Sequence, residues 1–173
     1  MKHVIVLLGD VCVGKTCLFR SLRGEVWNEG YMTTTCLEVC NVVGRRMDGV
    51  NVSLEIWDTP GHRFFQQCID IVIKKSSFAC MVFSTSSKTS YETSIRWYKR
   101  VKDTHECLLI VMDTSKRWSE WHPIVSNNPM PFVLIQRPKD MQKMLQYMIH
   151  NLHHNANEIF DKIIDSIRCK HFW

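Results

Sequence analysis

The sequence predicts an α/β fold: a six-stranded, mostly parallel sheet with helices on both faces. An apolar run, His3 to Leu8, leads straight into Gly9-Asp10-Val11-Cys12-Val13-Gly14-Lys15-Thr16, and a helical pattern follows through Cys17, Leu18 and Leu22 to Gly24. Short apolar runs then alternate with helix-period segments down the chain. Most of those runs are continuously apolar, as strands covered on both faces are.

Each element has its own signal. Val39–Val43 and Val50–Trp57 read as a hairpin pair, with Asp48-Gly49 in the turn between them. Ser77–Phe83 reads as a buried strand, and Cys107–Met112 and Pro131–Ile135 as two more. Thr89–Lys102 reads as a helix with Tyr91, Ile95, Tyr98 and Val101 inward. Met141, Met144, Leu145, Met148, Ile149 and Leu152 keep helical spacing, and so do Ile159, Phe160, Ile163, Ile164 and Ile167. Trp118 and Trp121 flank a Pro-containing loop, where aromatic packing over a shortened segment is expected. His150, His153 and His154 read as solvated helix residues, because no acidic or Cys partner accompanies them.

Strand, Gly-x-x-x-x-Gly-Lys-Thr, helix is the context of a phosphate-binding loop. Successive backbone N–H groups and the helix N-terminus make an anion-binding concavity from residues 9–17. Lys15 is placed to reach the β- and γ-phosphates, and the Thr16 hydroxyl to ligate Mg2+. Asp58 ends a strand about 40 residues later, three residues before Gly61, and such an Asp supplies the second half of a Mg2+–nucleotide site. The Gly61 N–H would meet the γ-phosphate.

Composition sets the outer bounds. The chain has 173 residues, 45% hydrophobic and 23% charged, which suits one domain spanning 1–173, its last ~15 residues a helix and short tail. The net charge of +5 is mild, no block of five like charges occurs, and nucleic acid is not an expected partner. Eight scattered cysteines without a Cys-x-x-Cys pair read as reduced thiols of a cytosolic protein. Cys36 and Cys40 are poor metal candidates without a second ligand pair. No signal peptide, transmembrane run or lipidation motif is seen, so the expectation is a cytoplasmic or nuclear monomer without a direct membrane anchor.

These strings resemble the Ras-like small GTPases, and among them the Rab and Ran branches. The resemblance rests on Gly-Asp-Val-Cys-Val-Gly-Lys-Thr-Cys-Leu (9–18), Trp-Asp-Thr-Pro-Gly (57–61), Phe-Ser-Thr-Ser-Ser-Lys-Thr-Ser-Tyr-Glu (83–92) and Asn-Glu-Ile-Phe (157–160). It implies GTP or GDP as ligand, Mg2+ as cofactor, and protein effectors or regulators that read two switch loops. The Thr that closes over Mg2+ and the γ-phosphate falls on Thr34, with Thr33 and Thr35 as neighbouring registers.

Four departures bear on function. Val11 stands where the family has Gly or a small residue, crowding the attacking water. His62 stands where the family has the water-orienting Gln; it is the catalytic candidate, read as a working His or as a lost catalytic residue, the latter favoured because Val11 points the same way. The guanine-reading motif is replaced by Met112-Asp113-Thr114-Ser115, or in a second register by Arg137-Pro138-Lys139-Asp140, with Asp140 as the base-binding residue. The loop that supports the base is not recognisable; Gln136-Arg137-Pro138 or Asn151-Leu152-His153 would take its place. The expectation is a nucleotide-dependent switch with slow or impaired GTP hydrolysis. The alternatives are a catalytically inactive module engaging partners of a Rab/Ran-type GTPase, and a P-loop NTPase of relaxed base specificity.

Overall fold

A computed structural model describes residues 2–25, 33–46, 49–137 and 140–151. Six strands form one sheet: β1 (Lys2–Gly9), β2 (Glu38–Arg45), β3 (Asn51–Asp58), β4 (Phe78–Ser84), β5 (Glu106–Met112) and β6 (Phe132–Ile135). Their order is β2-β3-β1-β4-β5-β6. Only β2 runs antiparallel to its neighbour, so the mostly parallel six-stranded expectation holds.

Alternation along β1 divides the core. Ile5 and Leu7 join one apolar cluster with Leu18 and Phe19 of α1 (Lys15–Leu22) and Met144, Met148 and Ile149 of α5 (Met141–Asn151). Val6 and Leu8 join the other, with Ile69 and Val72 of α2 (Gln66–Lys75), Trp97 and Val101 of α3 (Lys88–Val101), and Trp121 and Val125 of α4 (Trp118–Ser126). Helices therefore cover both faces, which is why β4 is buried at every position. Truncating a fully buried Leu7 or Leu108 to Ala would cost about 2–5 kcal/mol.

Three elements differ from the sequence reading. The α3 stripe lies one residue over: Ser90, Ser94 and Trp97 are buried with Val101, while Tyr91, Ile95 and Tyr98 pack on the flank. Small serines let the helix lie close to β4, and Ser90 Oγ accepts from the Ser84 N–H (3.1 Å) while donating to the Ser87 carbonyl (2.7 Å). The Trp118–Trp121 segment is a helix rather than a loop, with Pro123 inside it. Trp121 packs against Phe83 and Tyr91, and Trp118 against Phe132, so the packing role of both indoles stands. Helix α2 had no sequence counterpart. The second helical pattern at 159–167, His153 and His154 lie outside the described residues. No disulfide joins the seven described cysteines.

Candidate functional site

The phosphate loop leaves β1 at Gly9 and enters α1 at Gly14. A Cβ on Gly9 would lie 2.3 Å from the Val82 carbonyl oxygen, so no other residue lets the loop pass β4 this closely. Gly14 sits at φ +94° before α1, where no side chain caps the helix. The N-terminal N–H groups of α1 are thus left for an anion. Asp10 Oδ1 accepts from the Val11 N–H at 2.8 Å and stiffens the turn. Val11 itself is 38% exposed.

Lys15 folds back under the arch, where Nζ donates to the carbonyls of Gly9 (3.1 Å) and Asp10 (2.6 Å). Burial lowers its pKa to about 8, against the pull of the Asp58 and Asp10 carboxylates. It is a buried cation at the mouth of an anion cradle.

Three separated segments converge beside it. Thr16 Oγ1 donates to Asp58 Oδ2 at 2.6 Å and lies 2.6 Å from Thr34 Oγ1. The structure thus brings together Thr16, Thr34 and Asp58, and it selects Thr34 over Thr33 and Thr35 for this contact. Asp58 is completely buried, burial raises its pKa, and its Oδ1 has no hydrogen-bond partner. An unpaired buried carboxylate oxygen flanked by two hydroxyls is an oxygen-only donor set, the kind that suits a hard divalent cation such as Mg2+. Next to Asp58, Thr59 Oγ1 donates to the Leu7 carbonyl at 2.6 Å and ties the end of β3 to β1.

Gly61 presses on the phosphate loop: a Cβ there would come within 2.6 Å of the Asp10 carbonyl group and the Val11 nitrogen. His62 follows on a short 3-10 turn; its Nδ1 accepts from the Phe64 N–H at 3.4 Å and its ring sits 4.6 Å from that of Phe64. His62 and Val11 line the same cavity beside the loop.

The opposite end of the site lies where β5 stops. Asp113 is 1% exposed and both its oxygens are engaged. Oδ1 accepts from Thr85 Oγ1 (2.6 Å) and the Arg117 N–H (2.7 Å), and Oδ2 from Gln136 Nε2 (2.9 Å). Burial opposes its charge, but these bonds and the Trp118 N–H outweigh it and hold the carboxyl below the usual Asp value. Trp121 Nε1 donates to the Thr85 carbonyl at 2.8 Å and anchors the network from α4. Sequence reasoning missed Thr85 and this use of Gln136; the signal was their position just past the ends of the neighbouring strands β4 and β6.

Asp140 is not at the end of β5, where the second register would put it. It follows β6, and its Oδ2 accepts the N–H groups of Gln136 (3.2 Å) and Arg137 (2.9 Å) at the entry to α5. Of the two segments named for the base-supporting loop, the one at Gln136 touches this end of the site.

Residues 4–117 match the family profile described as Roc, the Ras of Complex domain of DAPkinase. Ras-related protein Rab-19 of Mus musculus is 23% identical over 121 residues, covering 68% of this chain and 55% of that protein. The putative ras-related protein Rab-5B of Dictyostelium discoideum is 30% identical over 99 residues, 57% of this chain and 45% of that protein. Rab-15 of Rattus norvegicus is 26% identical over the same length. The chain spans about half the length of these relatives. With its phosphate loop, its convergent Thr16–Thr34–Asp58 triad and a profile match over most of its length, the chain belongs to the Ras-like small GTPase superfamily as a divergent member.

Proposed function

We propose that this chain is a Rab/Ran-type GTP-binding switch with slow GTP hydrolysis. The observation that carries the reading is the meeting of Thr16, Thr34 and Asp58 beside the buried Lys15, because one loop, one helix start and one strand end have no other reason to share an oxygen cluster. Lys15 would turn from the carbonyls of Gly9 and Asp10 to the β- and γ-phosphates. Thr16, Thr34 and Asp58 would hold Mg2+, which when bound neutralises charge on the phosphate oxygens. Thr34 and the Gly61 N–H would close on the γ-phosphate, and effectors or regulators would read the order of the two loops so fixed.

Two side chains argue for slow turnover. Val11 would occupy volume beside the attacking water, and His62 uses Nδ1 to accept from the Phe64 N–H, which leaves Nε2 to donate but not to accept. The same residues favour a second reading, an inactive module that engages partners of a Rab/Ran-type GTPase.

Base selectivity is expected to be low. Both oxygens of Asp113 and Oδ2 of Asp140 are engaged by protein groups, so guanine would have to compete with these bonds for a carboxylate. A preference for GTP over ATP below ~100-fold is expected, since one unmade specific contact removes much of the discrimination. A preference above ~10⁴ in competition binding would mean that a carboxylate is released to the base. Among the described residues no helix is long and apolar enough to cross a membrane, and we propose a cytoplasmic or nuclear monomer.

Purifying the chain with and without EDTA and identifying the retained nucleotide by chromatography tests the reading. Guanine nucleotide lost with EDTA supports it. No nucleotide in either preparation, and none bound on titration, refutes it.

A further inference from the structure

Beside the phosphate loop, on the side away from α1, lies a cavity of about 470 Å³ between α2 and α3. That volume is ordinary for a small-molecule site. Its floor is apolar, from Ile69 and Trp97, and its rim is basic. Arg96 and Arg100 of α3 and Arg63, in the turn after His62, all line the cavity.

The three cations differ in what already holds them. Arg100 pairs with Asp70 at 2.5 Å and lies 5.3 Å from the Trp97 ring centre. Arg96 donates only to Thr93 Oγ1 on its own helix, at 2.8 Å. Arg63 lies against the Phe64 ring. Among the described residues Arg63 and Arg96 thus have no carboxylate partner, although both border one cavity. Asp10, the acidic residue on its wall, turns Oδ1 to the Val11 N–H and its carbonyl to Lys15. Two uncommitted guanidiniums above an apolar floor match an organic molecule with a compact body and two or more anionic groups, which Arg binds in fork geometry.

We propose that this cavity is a second ligand site, next to the nucleotide cradle and sharing with it the wall formed by Asp10, Val11, Gly61 and His62, for a small phosphorylated organic polyanion. The ligand bridges Arg63 and Arg96 across the cavity. Because Gly61 rests on the backbone of Asp10 and Val11, fixing Arg63 also fixes the turn that leans on the phosphate loop. Occupancy therefore couples to whatever the loop holds, and the coupling is reciprocal.

Titration calorimetry with inositol trisphosphate as probe tests the site in wild type, Arg96→Gln, Arg96→Glu and Lys15→Ala. The expected result is a one-to-one complex weakened at least ~10-fold by Arg96→Glu, less by Arg96→Gln, and retained in Lys15→Ala with a smaller shift than Arg96→Glu causes. Circular dichroism confirms that each variant is folded; Arg96 is exposed, so its replacement leaves the core intact. A parallel arm uses vesicles carrying phosphatidylinositol bisphosphate. Arg96-dependent binding to the free probe alone assigns a soluble ligand, and Arg96-dependent binding to vesicles assigns a headgroup. No binding in either arm overturns the proposal. So does binding that Lys15→Ala abolishes and Arg96→Glu leaves unchanged, because the probe then sits in the phosphate loop.

Discussion

Asp58 and Asp113 are both buried Asp residues at the ends of strands, yet their surroundings push their carboxyl pKa values in opposite directions. Asp58 keeps one oxygen without a partner, and burial raises its pKa. Asp113 receives bonds from Thr85, Gln136 and two backbone N–H groups, and its pKa is lowered despite burial. A carboxylate left incomplete by its own protein is completed by something else; a carboxylate already completed is part of the scaffold. The phosphate end of this molecule is therefore built to receive, and the base end is built to hold itself together.

The largest test of that contrast is at the receiving end. Lys15→Ala removes the buried cation of the cradle, and charge-assisted contacts of this kind contribute roughly 1.5–3 kcal/mol. Nucleotide affinity by calorimetry should drop at least ~10-fold, and up to ~100-fold. An unchanged affinity would show that residues 9–16 do not bind phosphate.

Catalysis sharpens the comparison, because a receptive phosphate end need not be a reactive one. Val11→Gly combined with His62→Gln should raise single-turnover GTP hydrolysis by at least ~10-fold over a wild type at or below the slow intrinsic rate of small GTPases. Fast hydrolysis in the wild type that His62→Ala abolishes would make His62 a working residue.

The smallest effect belongs to the scaffold end. Asp113→Asn should cost about 1–2 kcal/mol of stability near neutral pH, as an acceptor of charge-assisted bonds is lost. A depressed folded pKa means that the contribution is full above the unfolded value and is lost as pH falls through the folded one. The wild type should therefore lose stability below about pH 4, and the variant should show a shallower acid limb in denaturant melts. Equal acid limbs would break the contrast between the two carboxylates.

The same division governs what the sequence discloses. The phosphate loop, Asp58 and the β2–β3 hairpin were legible because each depends on residues close in sequence or at fixed spacing from a strand end. Thr34 was placed only by resemblance, and its contact with Thr16 needed the fold. The Thr85–Asp113–Gln136 network joins three segments that only the β4-β5-β6 order makes neighbours, and local pattern carries no record of that order. Helix α4 was hidden by Pro123, which cannot donate within a helix; burial of Trp121 and Val125 overrides the local penalty. Helix α2 was hidden by the run Ile69 to Ile73, whose β-branched residues mask a helical stripe.

Gly44 on β2 sets the order in which the domain can be completed. A Cβ there would lie 1.9 Å from Ile149 Cδ1, so α5 rests directly on the strand backbone. Cys40 and Val42 face the same cluster as Met144, Leu145 and Met148. The hairpin pairs residues close in sequence, but its cover includes the last described helix. During synthesis the inner face of β2 stays open to water, and to neighbouring chains, until residues 144–149 have emerged from the ribosome. A ribosome stalled before that helix would hold a sheet with a bare sticky face, so the nascent chain's need for a chaperone should end abruptly with the arrival of α5.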